Sequence, residues 1–339
     1  MKAIVWQGPE QMEMGERPEP GDPGPGEVIM RPGAVGICGS EVEGYLGRMG
    51  NRTPPLVMGH EFAGEIVAAG AGAENWIGRR AAVNPIEGCG RCPLCRSGQE
   101  NICPQRTLIG VHFDGAFADL VRAPVANLRA LPDELDIRVG ALAEPLSNGV
   151  HGVRLGLAGY RASTAAVIGA GTIGLVTLQA ALLSEIPSVA VIEPQDARRE
   201  RARTLGADSV HLSGEDARAA AGELGFDLVL DAAGAQATRA MAIDLVRPGG
   251  RVVCIGLATD DTTLSFHSVI RDQITIIGSY AYTMGDFEQA LEWLAGGRAS
   301  LGELSPVLPL EEGPDMFARL AEAPPDQVKV FLAGAGRAG

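Results

Sequence analysis

A mixed α/β protein of two domains is what this sequence predicts, one an irregular, mostly β domain and the other a doubly wound parallel sheet. Two observations carry the prediction. Before about residue 144, short Val/Ile/Ala runs are broken by Gly and Pro, whereas from Ser163 onward apolar runs of strand length alternate with helical segments. Length agrees, because 339 residues exceed one compact domain at roughly 100–200 residues each. With 46% hydrophobic and 21% charged residues and a mean hydropathy of +0.10, the chain can bury large cores, which excludes the disordered and fibrous classes.

In the first domain, the runs at 27–30, 62–68 and 80–84 read as strands between turn residues. In the second, strands are expected at 165–169, 188–193, 209–212, 226–231, 251–256 and 273–278. Helices between them include 175–183, 197–205 and 236–246, the last closed by Pro248-Gly249-Gly250. Past about residue 283 the alternation stops, leaving a helix-like segment at 286–296, proline-rich turns and a short apolar run at 328–332.

Forty-two Asp and Glu against 28 Lys and Arg give a formal charge of −14. Such a chain repels phosphate backbones and anionic bilayers, so neither nucleic acid nor a membrane is an expected partner. Only Lys2 and Lys329 are lysines. The charge-free stretch 162–184 is long enough to span a bilayer, but its three glycines, Gln179 and its Ser/Thr residues fit a buried strand, turn and helix. The apolar run near Met1 is too short for a signal peptide. Four of the six cysteines fall within fifteen residues, clustered as metal ligands are rather than spread as disulfides, and a cytoplasmic location is expected.

The run 165–168 leads into Gly169-Ala170-Gly171-Thr172-Ile173-Gly174 and then into an apolar helix. With Glu193 following nineteen residues after Gly174, this is the context a dinucleotide site requires. Gly169 permits the tight turn, Gly171 the approach of the pyrophosphate, and Gly174 close packing of helix on strand, with the helix N-terminus facing the negative charge. Glu193 suits ribose hydroxyls and repels a 2'-phosphate, which favours NAD over NADP. Arg198 and Arg199, just beyond, either meet such a phosphate or begin a solvated, Arg-rich helix face.

Cys89-x2-Cys92-x2-Cys95-x7-Cys103 offers four soft thiolates at the spacing of a structural zinc site. Pro104 after the last Cys fits an iron–sulfur cluster as well, although the seven-residue spacer does not. Cys38, His60, Glu61 and Glu144 are each unremarkable singly: a small core thiol, a satisfied polar group, a solvated turn.

Taken together, Gly36-Ile-Cys38-Gly-Ser40, Gly59-His60-Glu61-Phe-Ala-Gly64, the four-cysteine lobe, Asp114-Gly-Ala-Phe-Ala118, Glu144-Pro-Leu146, the glycine loop and Arg247-Pro-Gly-Gly250 give the chain its family resemblance. Over nearly its whole length it resembles the zinc-dependent medium-chain alcohol dehydrogenases, in pattern nearest to the polyol or sorbitol dehydrogenase branch. The resemblance implies a GroES-like catalytic domain built from 1–144 and 283–339, carrying a structural zinc lobe at about 85–106, and a Rossmann domain at 145–282. It implies two zinc ions per subunit. Cys38, His60 and Glu144 take the places of the catalytic zinc ligands, and Glu61 that of an acidic neighbour that binds the metal or stands behind it. Ser40 takes the place of the hydroxyl that receives the alcohol proton. The implied reaction is hydride transfer from a secondary alcohol, such as a polyol, sugar alcohol or cyclitol, to NAD(P), in a homo-oligomer, a tetramer over a dimer.

Two departures bear on the substrate. Glu43 stands five residues after Cys38, where many relatives carry a proton-relaying His, and Ala281 precedes Tyr282, where sorbitol dehydrogenases tend to carry an Arg. An ionised carboxylate only accepts hydrogen bonds. With the Arg lost as well, a neutral or cationic polyhydroxylated substrate is expected over a phosphorylated or carboxylated one, unless Glu43 merely sits in solvent. The other readings are a zinc aldose, amino-alcohol or aminocyclitol dehydrogenase and, in another class, a non-catalytic protein that binds zinc and dinucleotide. An intact set of Cys38, Ser40, His60 and Glu144 argues against the last.

Overall fold

The computed structural model describes residues 1–322 and 327–334; residues 323–326 and 335–339, which end the expected catalytic domain, lie outside the described residues. The chain forms two compact units, Met1–Glu144 with the described residues from Glu303 onward, and Pro145–Gly302. The second boundary therefore lies beyond the expected 283. Its cause is the helix Met284–Ala295, which stays with the second unit: Phe287 stacks on Tyr282 at 6.0 Å between ring centres, and Asp286 is tied to His151 and Arg154.

The first unit is built on an antiparallel sheet in which Glu27–Gly36 pairs with Glu61–Ala69 on one side and with Phe331–Ala333, a strand from the C-terminal segment, on the other. Apolar side chains of these strands, among them Met30, Val35, Phe62, Ile66 and Leu332, form one core with Phe117 and Phe317. The register positions the site. Gly36 is the cross-strand partner of both Glu61 and Phe331, so the ends of three strands distant in sequence meet in one row. Farther along, Ile86–Glu87 pairs with Thr107–Leu108 and closes the loop that contains the four clustered cysteines.

The second unit contains a six-stranded parallel sheet, ordered Ser209–His211, Ser188–Ile192, Thr164–Ile168, Phe226–Asp231, Val246–Cys254 and Thr275–Gly278. Numbered along the chain, that order is 3-2-1-4-5-6, the doubly wound arrangement that places ligands at the strands' carboxyl ends. Each strand matches an apolar run of the sequence, with one difference. Helix Gln236–Leu245 ends one residue early, and Val246 already pairs with Phe226, so Pro248-Gly249-Gly250 lies within the strand, and a register irregularity falls between Phe226 and Leu228 on the neighbouring strand. The charge-free stretch is the first strand of this sheet and the helix Thr172–Leu183, whose residues from Gly174 to Ala181 are all buried. Among the described residues, no helix is long and apolar enough to cross a membrane.

Asp286 anchors the last helix of this unit. Its carboxylate accepts from Arg154 Nε at 2.6 Å and from the backbone N–H and hydroxyl of Thr283 at 2.9 and 2.7 Å, and it lies 2.7 Å from His151 Nδ1. Burial alone would raise its pKa, but these donors outweigh burial and hold it well below the usual carboxylate range. The sign follows by linkage: a depressed folded-state pKa gives stability that is present above the unfolded value of about 4 and is lost as pH falls toward the folded one. Asp286→Asn is expected to lower unfolding free energy by about 3 kcal/mol at pH 7 and to flatten its fall between about pH 4 and 2. Denaturant titrations across that range check it, and parallel pH profiles for the two proteins would refute it.

Candidate active site

Strand Glu27–Gly36 ends just before Cys38, which caps the short helix Gly39–Tyr45. Gly59 turns the chain at φ +108, and a Cβ there would lie 2.6 Å from the Phe117 nitrogen, so only glycine brings His60 and Glu61 to this strand end. The sulfur of Cys38, a ring nitrogen of His60 and a carboxylate oxygen of Glu61 lie within 4.8 Å of one another. Ser40 Oγ donates to Cys38 Sγ at 3.3 Å. Glu144, buried in the first turn of helix Ala143–Leu157, is not part of that 4.8 Å group, but its charge acts on Lys329 together with those of Glu61 and Cys38.

Two residues of this site escaped the sequence reading. Glu41 is fully buried and accepts from the backbone N–H groups of Cys38, Gly59 and His60 and lies 2.7 Å from His60 Nδ1. Burial would raise its pKa, yet His60, the Cys38 N–H and the charge of Arg52 bring it below the ordinary value. An ionised acceptor at Nδ1 favours the His60 proton there and leaves Nε2 to bind a metal. The spacing Cys-x-x-Glu after a strand end is the signal that would have found it, since the third helical position commonly reaches back to cap. The second residue is Lys329, whose Nζ sits 2.8 and 2.6 Å from the two oxygens of Glu61 and donates to the Ile37 carbonyl at 3.1 Å. A Cβ on Gly36 would lie 2.3 Å from Glu61 Oε2 and 3.0 Å from Lys329 Cδ, so that glycine is the space in which the pair fits.

A divalent metal suits this donor set. One thiol, one imidazole and the buried carboxylate of Glu61 lie together, with Glu41 behind His60, and the charges of Glu61, Cys38 and Glu144 act on the ammonium of Lys329. Burial lowers the pKa of Lys329, but the charges of Glu61, Cys38 and Glu144 outweigh it and raise Lys329 above the ordinary lysine value. Burial lowers the pKa of His60, but Glu41 and Cys38 more than reverse this and raise it well above that of free imidazole, so the site favours a cation at its centre.

The four-cysteine lobe passes a geometric test. A tetrahedron of sulfurs about 2.3 Å from zinc has edges of about 3.8 Å. Here Cys92 Sγ lies 3.5 Å from Cys95 Sγ and 3.8 Å from Cys103 Sγ, and Cys89 Sγ lies 4.0 Å from Cys95 Sγ. Backbone N–H groups of Arg91 and Cys92 bring Cys89 down to about 6, whereas burial and the neighbouring Cys92 push Cys95 up to about 12. Four thiolates this close need a cation between them.

In the second unit, Gly169 takes φ +96, and a Cβ on Gly174 would lie 1.9 Å from the Gly169 carbonyl oxygen. Gly171 has open space at the same position, and Thr172 and Ile173 begin the helix behind it, which leaves room for a phosphate at the helix N-terminus. Glu193 is buried rather than solvated. It accepts from Ala170 N, inside the glycine loop, at 2.8 Å and from Gln195 N at 3.0 Å. Arg199 donates to the Glu193 carbonyl at 2.6 Å, while Arg198 is half-buried on helix Asp196–Thr204.

Two further residues shaped the substrate expectation. Glu43 faces Arg48 at 3.5 Å with nearly half its side chain exposed. Ala281 takes φ +49, and Tyr282 is fully buried against Phe287.

A glycine-loop dinucleotide fold in one unit and a cluster of metal donors beside a serine hydroxyl in the other define the class, a metal-dependent oxidoreductase. Comparison with known proteins gives the family. Residues 24–133 match the alcohol dehydrogenase GroES-like domain, and residues 172–296 the zinc-binding dehydrogenase domain. The chain is 31% identical over 345 residues to a sorbitol dehydrogenase of Bacillus subtilis, covering 98% of this chain and 97% of that one. It is 34% identical over 310 residues to an L-galactonate-5-dehydrogenase of Escherichia coli, covering 88% of each. An Escherichia coli CFT073 structure described as a short chain alcohol dehydrogenase complexed with NADH superposes with a TM-score of 0.89 at 28% identity, covering 98% of this chain and 99% of that one. The chain belongs to the zinc-dependent alcohol dehydrogenase family, in its polyol dehydrogenase branch. It is a zinc-dependent enzyme that transfers hydride between an alcohol and a nicotinamide dinucleotide.

Proposed function

We propose that this enzyme oxidises a secondary hydroxyl of a small polyhydroxylated molecule, with NAD preferred over NADP. Cys38, His60 and Glu144 would hold a catalytic zinc, and Cys89, Cys92, Cys95 and Cys103 a structural one. The observation that carries this reading is the convergence of Cys38, His60 and Glu61 within 4.8 Å beside the Ser40 hydroxyl, since a protein that only binds metal and dinucleotide needs no proton acceptor there. The sorbitol and L-galactonate for which the two relatives are named are both polyhydroxylated.

When bound, zinc supplies Lewis acidity at the substrate oxygen and the dinucleotide supplies the hydride acceptor. The remaining tasks fall to side chains of this protein. Glu41 holds His60 in one tautomer and one orientation. Lys329 neutralises Glu61 and, through the Ile37 carbonyl, braces the chain beside Cys38. Ser40 Oγ is placed to take the hydroxyl proton and release it outward as the carbinol hydride departs. Glu43, turned to Arg48, has no part in this scheme.

Purified protein is expected to carry two zinc ions per subunit and to reduce NAD with at least one member of a panel of polyols, cyclitols and simple secondary alcohols. Dinucleotide binding without turnover on the whole panel would favour the non-catalytic reading, and one zinc or none would remove a metal site. For Glu193, the expected result is a narrowing of the preference for NAD. Glu193→Ala should weaken NAD binding by about tenfold, the worth of one or two hydrogen bonds to a charged group, and NADP binding less. Titrations of the two dinucleotides check this, and a wild type that already prefers NADP would overturn it.

A homotetramer in the cytoplasm completes the proposal. What supports assembly is the edge strand Thr275–Gly278, which carries Ile276 exposed, with Phe266 and Ile270 exposed on the preceding helix. All six cysteines are unpaired, as in a reducing compartment.

A further inference from the structure

Glu61 is the carboxylate of the metal site whose place one partner decides. It is 1% exposed, and among the described residues the group paired with it is the ammonium of Lys329, itself 4% exposed. Nζ donates to Oε1 at 2.8 Å and lies 2.6 Å from Oε2, an oxygen that is buried and accepts no directed hydrogen bond. The lysine is pinned in turn. Its Nζ donates to the Ile37 carbonyl at 3.1 Å, its own carbonyl accepts from the Ser305 hydroxyl at 2.6 Å, and the carbonyl of the next residue, Val330, accepts from Ile37 N at 2.9 Å.

Glu61 is close enough to the other donors to become a ligand. In tetrahedral zinc sites, sulfur, nitrogen and oxygen donors lie about 3.5 Å apart. A Glu61 oxygen is within 4.8 Å of Cys38 Sγ and of a His60 ring nitrogen, so a shift of about 1 Å brings it to that spacing. Cys38 and Glu144 already match the charge of a divalent ion, and a catalytic site keeps one position open for substrate. A third anionic donor would fill that position. Among the described residues, what holds the Glu61 carboxylate back is its pairing with Lys329.

We propose that Lys329 is a positioning residue that withholds Glu61 from the catalytic metal and so keeps the substrate position open. This rests on the assignment of Cys38, His60 and Glu144 as the ligands of that metal. Without the ammonium, Glu61 becomes a buried charge with no partner, a costly state that ends when the carboxylate protonates or finds another cation. The metal, one donor shell away, is that cation. A fourth protein donor then tightens the metal and shuts out other ligands. A lysine that only braced the fold would act in the opposite direction, because its loss would loosen the site.

The test uses the full-length enzyme with cobalt(II) exchanged for the catalytic zinc, since the visible absorption of cobalt reports its number of ligands, and azide as a probe of the open position. Lys329→Met is expected to weaken azide binding by at least about tenfold and to slow cobalt loss to EDTA by a similar factor, the scale on which outer partners change metal affinity. Lys329→Met combined with Glu61→Gln should return both quantities to within about twofold of the wild type, because removing both partners leaves no unpaired charge. That double variant also serves if the single one does not fold. Faster cobalt loss from Lys329→Met with azide affinity unchanged would overturn the proposal and leave Lys329 a brace. So would a double variant whose cobalt bands differ from the wild type's and whose metal escapes faster, because Glu61 would then be a ligand from the start. A wild type that takes up cobalt only at the cysteine lobe would instead refute the assignment of Cys38, His60 and Glu144.

Discussion

Replacing Cys38 by Ser is expected to lower kcat/KM by at least about a thousandfold while leaving dinucleotide affinity within about twofold. A partner that merely orients a metal ligand is worth about 10- to 100-fold, and the ligand itself should exceed that. Serine supplies no thiolate at neutral pH, so Glu41, Glu61 and Glu144 would surround an imidazole with too few donors to hold zinc tightly. The glycine loop at Gly169–Gly174 and Glu193 belong to the other compact unit and keep their geometry. Metal analysis should find one zinc per subunit, the structural one. Loss of NADH binding together with turnover would show that the two units do not divide the work in this way.

The second large effect concerns the cysteine lobe. Cys95→Ser is expected to release the structural zinc and to open the segment between the paired strands Ile86–Glu87 and Thr107–Leu108. Isolated zinc modules draw about 10–16 kcal/mol from their metal. If only a few kcal/mol of that stabilises this larger unit, Tm should fall by about 10 °C. Arg91 and Arg96 lie inside the lobe, so trypsin should cut there in the variant and spare the wild type. A variant that keeps both zinc ions and resists trypsin would show that the sulfur cage is not needed to close the loop.

Much of this architecture was legible because it is local. A glycine loop, a strand before it and a helix after it lie within twenty residues, and the four sulfurs within fifteen. The alternation of apolar runs gave all six strands of the dinucleotide unit, because buried parallel strands must be apolar on both faces. What the sequence hid is long-range or context-bound. Lys329 reaches Glu61 across 268 residues of chain, and only the register of three strands around Gly36 shows why. Helix Ala143–Leu157 was obscured because Glu144-Pro145 reads as a turn, although proline is tolerated in a first helical turn and an acidic residue there is favoured.

The uneven use of basic residues has a practical consequence. Lys2 is well exposed beside Glu311, and the one other lysine, Lys329, is sealed against Glu61. Of the two lysine side chains, a lysine-reactive reagent would therefore reach Lys2 on the first unit and would leave the buried ammonium at the metal site unmodified.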